Sequence, residues 1–144
     1  MNQGKLYFEI FEEFEKAPSK EKVNVLRKYG SNAFKNFLCC VMSSNITFDI
    51  KDIPIYRPAL EPAGLNFVYI EQEMTQVYKY ITNHPAKPIG ITLKKQMELL
   101  VVTLESLHKD EAELFANMFR KSLKVRGLNA KIVKEAFPEL PLEA

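Results

Sequence analysis

The residues best suited to binding chemistry form a basic segment at 120–134. It contains six of the chain's 20 Lys and Arg residues and none of its 18 Asp and Glu residues. The six are Arg120, Lys121, Lys124, Arg126, Lys131 and Lys134. Because the whole chain carries a net charge of only +2, this excess is local, as expected for a surface that contacts phosphates. The basic segment is therefore a candidate nucleic-acid-binding site.

The spacing predicts how these cations are displayed. Lys121 and Lys124 are three residues apart near the end of one predicted helix, and Lys131 and Lys134 repeat that spacing on the next, after a turn at Gly127. A helix–turn–helix of this kind could follow a phosphate backbone. Alternatively, cations near a helix C-terminus are stabilised by the helix dipole, which explains Lys121 and Lys124 without any ligand.

Residues with catalytic potential are few. Glu105 precedes His108 by three residues, so the pair could transfer protons or could be an ordinary surface pair at a helix end. Cys39 and Cys40 are adjacent, which sets their Cα atoms about 3.8 Å apart, closer than most disulfides allow. At least one of these thiols should face the core as a small hydrophobic group. No catalytic residue is assigned.

The sequence contains no recognisable pattern for a metal or a cofactor. Two histidines and two adjacent cysteines cannot compose a zinc site. The acidic pairs Asp49 with Asp52 and Glu71 with Glu73 lack the ligand number of a dedicated cation site. Phosphate-binding glycine loops and the serine-hydrolase motif do not occur. We therefore expect neither a metal nor a cofactor.

Composition bounds the class and the compartment. Hydrophobic residues make up 47% of the 144 residues and charged residues 26%, typical of a folded chain of one domain. No apolar run approaches the roughly 18 residues of a transmembrane helix, and the N-terminus lacks the features of a secretory signal or of a myristoylation site. With two reduced thiols, these features predict a cytoplasmic protein without membrane contact.

Apolar periodicity predicts a mainly α fold, a single-domain bundle of about six helices. The predicted helices span 4–17, 20–29, 32–42, 69–83, 93–108, 110–124 and 130–137. Ser19, Ser31, Thr92 and Asn129 are the predicted N-caps. Between 46 and 66, an alternating apolar pattern is followed by three prolines at four-residue intervals. This proline arm is predicted to be extended, and it could include short β-strands.

A leucine stripe in the 93–108 helix predicts a helix–helix contact. Its members are Leu93, Met97, Leu100, Leu104 and Leu107, with steps of four, three, four and three residues. Such a stripe faces another helix, either in this chain or in a second copy. The leucine stripe and the proline arm are thus candidate interfaces for another protein or for a homo-oligomer.

Three blocks of sequence carry a resemblance to a known family. They are S-K-E-K-V-N-V-L-R-K-Y-G-S-N-A-F, P-I-Y-R-P-A-L-E-P-A-G, and L-E-S-L-H-K-D-E-A-E-L-F with the following K-S-L-K-V-R-G-L-N-A-K-I-V-K-E-A-F-P. Together they resemble small proteins encoded by tailed phages of marine bacteria, a family without an assigned activity. The resemblance implies a viral origin, action in the host cytoplasm, and a setting in replication, transcription or particle assembly. The chain departs from that family in its phenylalanine-rich stretch, 115–119.

The expected function is that of a phage-type accessory protein acting as a protein-interaction or oligomeric module. The alternative is a nucleic-acid-associated accessory protein that uses the basic segment for phosphate contacts. An enzyme with an unrecognised site is the remote alternative, motivated by Glu105 with His108 and by the phage setting.

Overall fold

The structure of the chain, a computed structural model, describes residues 5–62, 66 and 68–142. It is mainly helical, as predicted, and the one β pairing among these residues is an isolated antiparallel bridge between Phe48 and Ile81. The α-helices are α1 (Tyr7–Lys16), α2 (Lys22–Lys28), α3 (Asn32–Met42), α4 (Ile70–Glu73), α5 (Leu93–Ser106), α6 (Lys109–Arg120) and α7 (Ala130–Ala136). Two 3-10 helices, Ser19–Glu21 and Met74–Tyr80, precede α2 and continue α4.

The core is built around α6, which contacts α1, α3 and α5. Its phenylalanine-rich stretch, 115–119, is buried. The Phe119 ring lies 4.7 Å from that of Phe48 and 5.2 Å from that of Tyr80, measured between centroids. These contacts fix the start of the proline arm and the end of the Met74–Tyr80 helix against the centre of the molecule.

Two predicted helices are shorter than their apolar patterns indicate. The helix predicted at 69–83 becomes α4 and the 3-10 helix, and it ends at Tyr80 because the chain there pairs with the proline arm. The Asp49 amide donates to the Tyr80 carbonyl, and the Thr82 amide donates to the Thr47 carbonyl. The helix predicted at 110–124 ends at Arg120, because Lys121 adopts the left-handed conformation with φ of 64°.

Because α6 ends at Arg120, the predicted helix–turn–helix is not formed. Residues 122–129 form a non-helical connection, so Lys121 and Lys124 do not share a helical face. A turn is present at Gly127, where φ is 83°, but the helix before it has already ended at Arg120. The other predicted helices hold to within a few residues at their ends, although Gly4, the start of the first one, lies outside the described residues. The proline arm is non-helical at 46–62 and at Asn66, as predicted, and 63–65 lie outside the described ranges.

Candidate functional site

Lys121, a central member of the basic segment, is bound inside the fold. Its Nζ donates hydrogen bonds of 2.5–2.7 Å to the backbone carbonyls of Cys40, Ser43 and Ile46. These carbonyls lie at and just beyond the C-terminus of α3, where the helix dipole favours a cation. Burial lowers the pKa of Lys121, but three acceptors require all three ammonium hydrogens, so we assign the charged form. Lys121 is a helix cap rather than an exposed phosphate contact.

The other five residues of the basic segment differ in their contacts and exposure. Lys134 donates to the Leu140 carbonyl at 2.6 Å and so fastens the chain that follows α7. Arg120, Lys124, Arg126 and Lys131 are exposed. Of these, Lys124 lines a shallow cavity of about 250 Å³ whose other lining residues include acidic side chains. Those acidic residues are Glu12, Glu15, Asp110 and Glu113. The structure therefore does not bring the six cations together on one exposed basic face.

The members of the leucine stripe differ in burial, because some face the core and others face solvent. Three members have no exposed surface: Leu100, Leu104 and Leu107. These three therefore cannot belong to the predicted intermolecular interface. Leu100 and Leu104 instead lie on the inner face of α5, which packs on α6, and Leu107 follows α5 as its buried C-cap. Leu93 is 51% exposed and Met97 is half-buried. Only the outer end of the predicted stripe is therefore open to a partner.

An apolar groove lies along this outer face of α5. The α5 groove has a volume of about 620 Å³ and is lined by Pro54, Leu93, Lys94, Met97, Glu98 and Val101. Three of these, Leu93, Met97 and Val101, follow one another at four-residue spacing on one side of the helix. Pro54 of the proline arm forms the opposite wall. The groove thus combines the two segments that the sequence indicated as separate candidate interfaces.

The exposed large hydrophobic residues belong to segments of sequence near those that line this groove. The exposed large hydrophobic residues of the described ranges are Ile55, Leu60, Ile89, Leu93 and Val102. All five belong to the proline arm, to α5 or to the loop that leads into α5. Of the five, Leu93 lines the groove, whereas Ile55 (97% exposed) and Val102 (64% exposed) do not.

Polar contacts hold the two walls of the groove in place. Asp49, in the proline arm, accepts hydrogen bonds of 2.7 Å from Lys87 and from the buried amide of Gln96 in α5. At the other end, the Arg57 amide donates to the Glu105 carboxylate at 2.8 Å. Burial acts to raise the pKa of Asp49, but its hydrogen bonds outweigh burial and lower that pKa. The arm is therefore tied to α5 on both sides of Pro54, and the groove is preformed.

The residues considered for catalysis serve structural roles. Glu105 contacts the proline arm, whereas His108 caps α6: its Nδ1 accepts from the Asp110 amide at 3.0 Å, and its ring stacks on Phe8. Cys39 and Cys40 are both buried free thiols, and burial raises the pKa of Cys40 to about 12. A thiol with so high a pKa has almost no nucleophilic thiolate at neutral pH.

Glu111 is an unusual group that the sequence did not indicate. It is 1% exposed, and its carboxylate accepts from the backbone amides of Tyr7 and Ile70 at 3.1 and 3.2 Å. It therefore joins the first turns of α1 and α4 to α6. Burial raises the pKa of Glu111 to about 7, and the nearby carboxylates of Glu9 and Glu71 act in the same direction. A glutamate in a helix's first turn is common, so the sequence alone offers no signal of this role.

The acidic pairs considered for cations are likewise engaged. Glu71 accepts from the hydroxyls of Tyr7 and Ser31 at 2.7 and 3.0 Å, and Asp49 belongs to the contacts of the groove walls. Within the described ranges, no group of three or more His, Cys, Asp or Glu side chains is arranged to hold a metal ion. In the same part of the chain, no helix is long and apolar enough to cross a membrane.

Comparisons with known proteins do not indicate a function for this chain. No protein family matches the chain, and neither the curated proteins nor the solved structures contain a match. The fold and the α5 groove therefore carry the functional argument on their own residues.

Proposed function

We propose that this protein is a protein-interaction module whose binding surface is the α5 groove. It would act in the cytoplasm of an infected host cell, the setting that the phage resemblance implies. One observation carries the proposal: the exposed Leu93 and the half-buried Met97 and Val101 line one side of a groove of about 620 Å³ on α5. A groove lined by apolar side chains that are open to solvent is characteristic of protein-binding surfaces.

The chemistry of the groove favours an amphipathic helix as the bound element. Leu93, Met97 and Val101 offer apolar side chains at helical spacing, and Lys94 and Glu98 supply charges along one edge. Fully burying a side chain such as Leu or Met contributes about 1.5–3 kcal/mol. Because these three are already partly covered, we expect a smaller gain from each, enough for a specific but moderate affinity.

Cross-linking from defined positions tests the proposal. A photoreactive amino acid at Met97 should yield a covalent adduct when the protein is irradiated in the cell that produces it, because position 97 lies in the groove. The matched control is Lys95, an exposed residue on the same helix that does not line the groove. Leu93→Glu should abolish the adduct from position 97, since it places a charge in the apolar groove. Equal adducts from 95 and 97, or no adduct from 97, would refute the proposal.

Nucleic-acid contact has weaker support from the geometry. Two of the six cations, Lys121 and Lys134, are bound to backbone carbonyls, and Lys124 lies beside acidic side chains. The exposed charge that remains is that of Arg120, Arg126 and Lys131. Since affinity for a phosphate backbone depends on the number of cations that reach it, this arrangement favours the α5 groove as the functional surface.

A further inference from the structure

A single buried carboxyl group joins the N-termini of three helices. Glu111 lies in the first turn of α6, and its two oxygens accept from the amides of Tyr7 and Ile70, the first residues of α1 and α4. We infer that Glu111 makes the closure of α4 sensitive to pH: while Glu111 holds a proton, the first turn of α4 stays joined to α1 and α6, and ionisation lets that turn open. This inference does not depend on the α5 groove.

The groups that face Glu111 disfavour a charge on it. Its side chain is 1% exposed, so water does not stabilise the carboxylate. The carboxylates of Glu9 in α1 and Glu71 in α4 act in the same direction as burial. Burial raises the pKa of the Tyr7 hydroxyl, so that group stays neutral. Within the part of the chain that the structure describes, no Lys, Arg or His forms an ion pair with Glu111.

The first turn of α4 is the weaker of the two attached elements. The helix α4 has four residues and one buried side chain, Ile70, whereas α1 has ten residues and four buried side chains. Opening of α4 also moves the Glu71 carboxylate away from that of Glu111, which relieves their repulsion. The bonds that Glu71 accepts from the hydroxyls of Tyr7 and Ser31 oppose this movement, so they keep the turn closed while Glu111 is neutral.

Thermodynamic linkage gives the direction and the size of the effect. The closed form holds Glu111 at a pKa of about 7, whereas water in the open form returns that pKa to the ordinary 4.5, so the closed form binds more protons between these values. Opening is therefore favoured as pH rises through this interval. The opening constant should increase about 40-fold from about pH 5 to about pH 7, and only about twofold from there to about pH 9.

Two measurements on the full chain test the inference. Hydrogen exchange at the Ile70 amide, divided by the intrinsic exchange rate at each pH, gives the opening constant of α4. The amide of Leu104, a fully buried residue of α5, reports global unfolding in the same experiment. The carboxyl ¹³C chemical shift of Glu111 reports its titration directly, and its midpoint should lie near pH 7.

Substitutions separate the charge of Glu111 from its structural role. Glu111→Gln does not ionise, so opening at Ile70 should become independent of pH. Glu71→Gln removes a neighbouring charge and keeps an oxygen that accepts a hydrogen bond, so the titration midpoint of Glu111 should fall below that of the parent. Asp52→Asn is the matched control, because it removes a carboxylate from an exposed position of the proline arm and should change neither result.

Each outcome either supports or overturns the inference. Opening at Ile70 that exceeds opening at Leu104, rises up to about pH 7 and then levels off supports it, provided that Glu111→Gln abolishes the rise. Equal opening constants at Ile70 and Leu104 overturn it, because the helix then opens only when the whole chain unfolds. A titration midpoint of Glu111 at an ordinary value, or a pH dependence that Glu111→Gln retains, also overturns it.

Discussion

Replacing Lys121 with methionine should lower the free energy of unfolding by about 3 kcal/mol. The substitution keeps the length of the aliphatic stem and removes the ammonium that caps α3. Three carbonyls, those of Cys40, Ser43 and Ile46, lose their charged donor. A hydrogen bond to a charged group contributes about 1.5–3 kcal/mol, and a buried carbonyl left without a partner costs about 1–3 kcal/mol. The three bonds share one ammonium, so their sum is well below three separate bonds.

Lys124 provides a matched control because its backbone resembles that of Lys121. Both residues are left-handed, with φ of 59° at Lys124 and 64° at Lys121, but Lys124 is exposed. Lys124→Gly should be neutral or should stabilise the fold by up to about 1 kcal/mol, because glycine adopts this conformation without strain. Lys121→Gly gains the same relief and loses the cap, so it should destabilise by about 2 kcal/mol. The difference between the two glycine variants therefore isolates the capping interaction.

Urea denaturation followed by circular dichroism gives the required free energies. We expect Lys121→Met to shift the midpoint strongly while the slope with denaturant stays constant. If Lys121→Met changes stability by less than about 0.5 kcal/mol, the usual effect of a surface substitution, Lys121 is a surface cation after all. Equal effects of the glycine substitution at 121 and 124 would lead to the same conclusion.

Two further predictions concern carboxylates that accept hydrogen bonds from other elements, the buried Glu111 and the partly exposed Asp49. The pKa of Glu111 is about 7 in the folded chain against an ordinary 4.5, so the folded state binds more protons in that interval and stability should fall by about 3 kcal/mol as pH rises through it. Glu111→Gln should flatten this dependence, which denaturation at about pH 5 and about pH 8 would show; an unchanged slope would refute the assignment. Asp49→Ala leaves the Gln96 amide and the Lys87 ammonium without their acceptor, and we expect a loss of about 2 kcal/mol at neutral pH. The pKa of Asp49 is lowered in the folded state, so its stabilisation should be present at neutral pH and lost as pH falls through that pKa; equal acid sensitivity in Asp49→Ala and the parent would contradict this.

Local sequence signals predicted most of the helical elements because they act over a few residues. The oxygens of Ser31, Thr92 and Asn129 accept backbone hydrogen bonds at the helix starts where they were predicted. Ser19 is an exception, since it lies inside a 3-10 helix that follows Pro18 without a side-chain cap. Capping and apolar periodicity depend on neighbouring residues alone, and a sequence displays them directly.

The features that define the site depend on contacts between distant parts of the chain. Lys121 ends α6 and caps α3 through carbonyls 75 to 81 residues away, so nothing near position 121 distinguishes it from Lys124. The leucine stripe of α5 was visible, but periodicity does not reveal which of its members face α6. Similarly, the groove exists because Asp49 and Glu105 tie the proline arm to α5 across about 47 residues.

The division of the basic segment shows why net charge alone was a poor guide to which cations are exposed. A local excess of cations indicates a phosphate-binding surface only if the cationic groups are exposed to solvent and not already bound within the protein. In this fold, Lys121 is bound at the C-terminus of α3 and Lys134 is bound to a carbonyl after α7. Lys124 lies beside acidic side chains. On α5, by contrast, Lys94 and Glu98 give no net charge beside an apolar stripe, so counting charges overlooks that surface. The contacts and exposure of each side chain therefore describe these surfaces better than the count of like charges does.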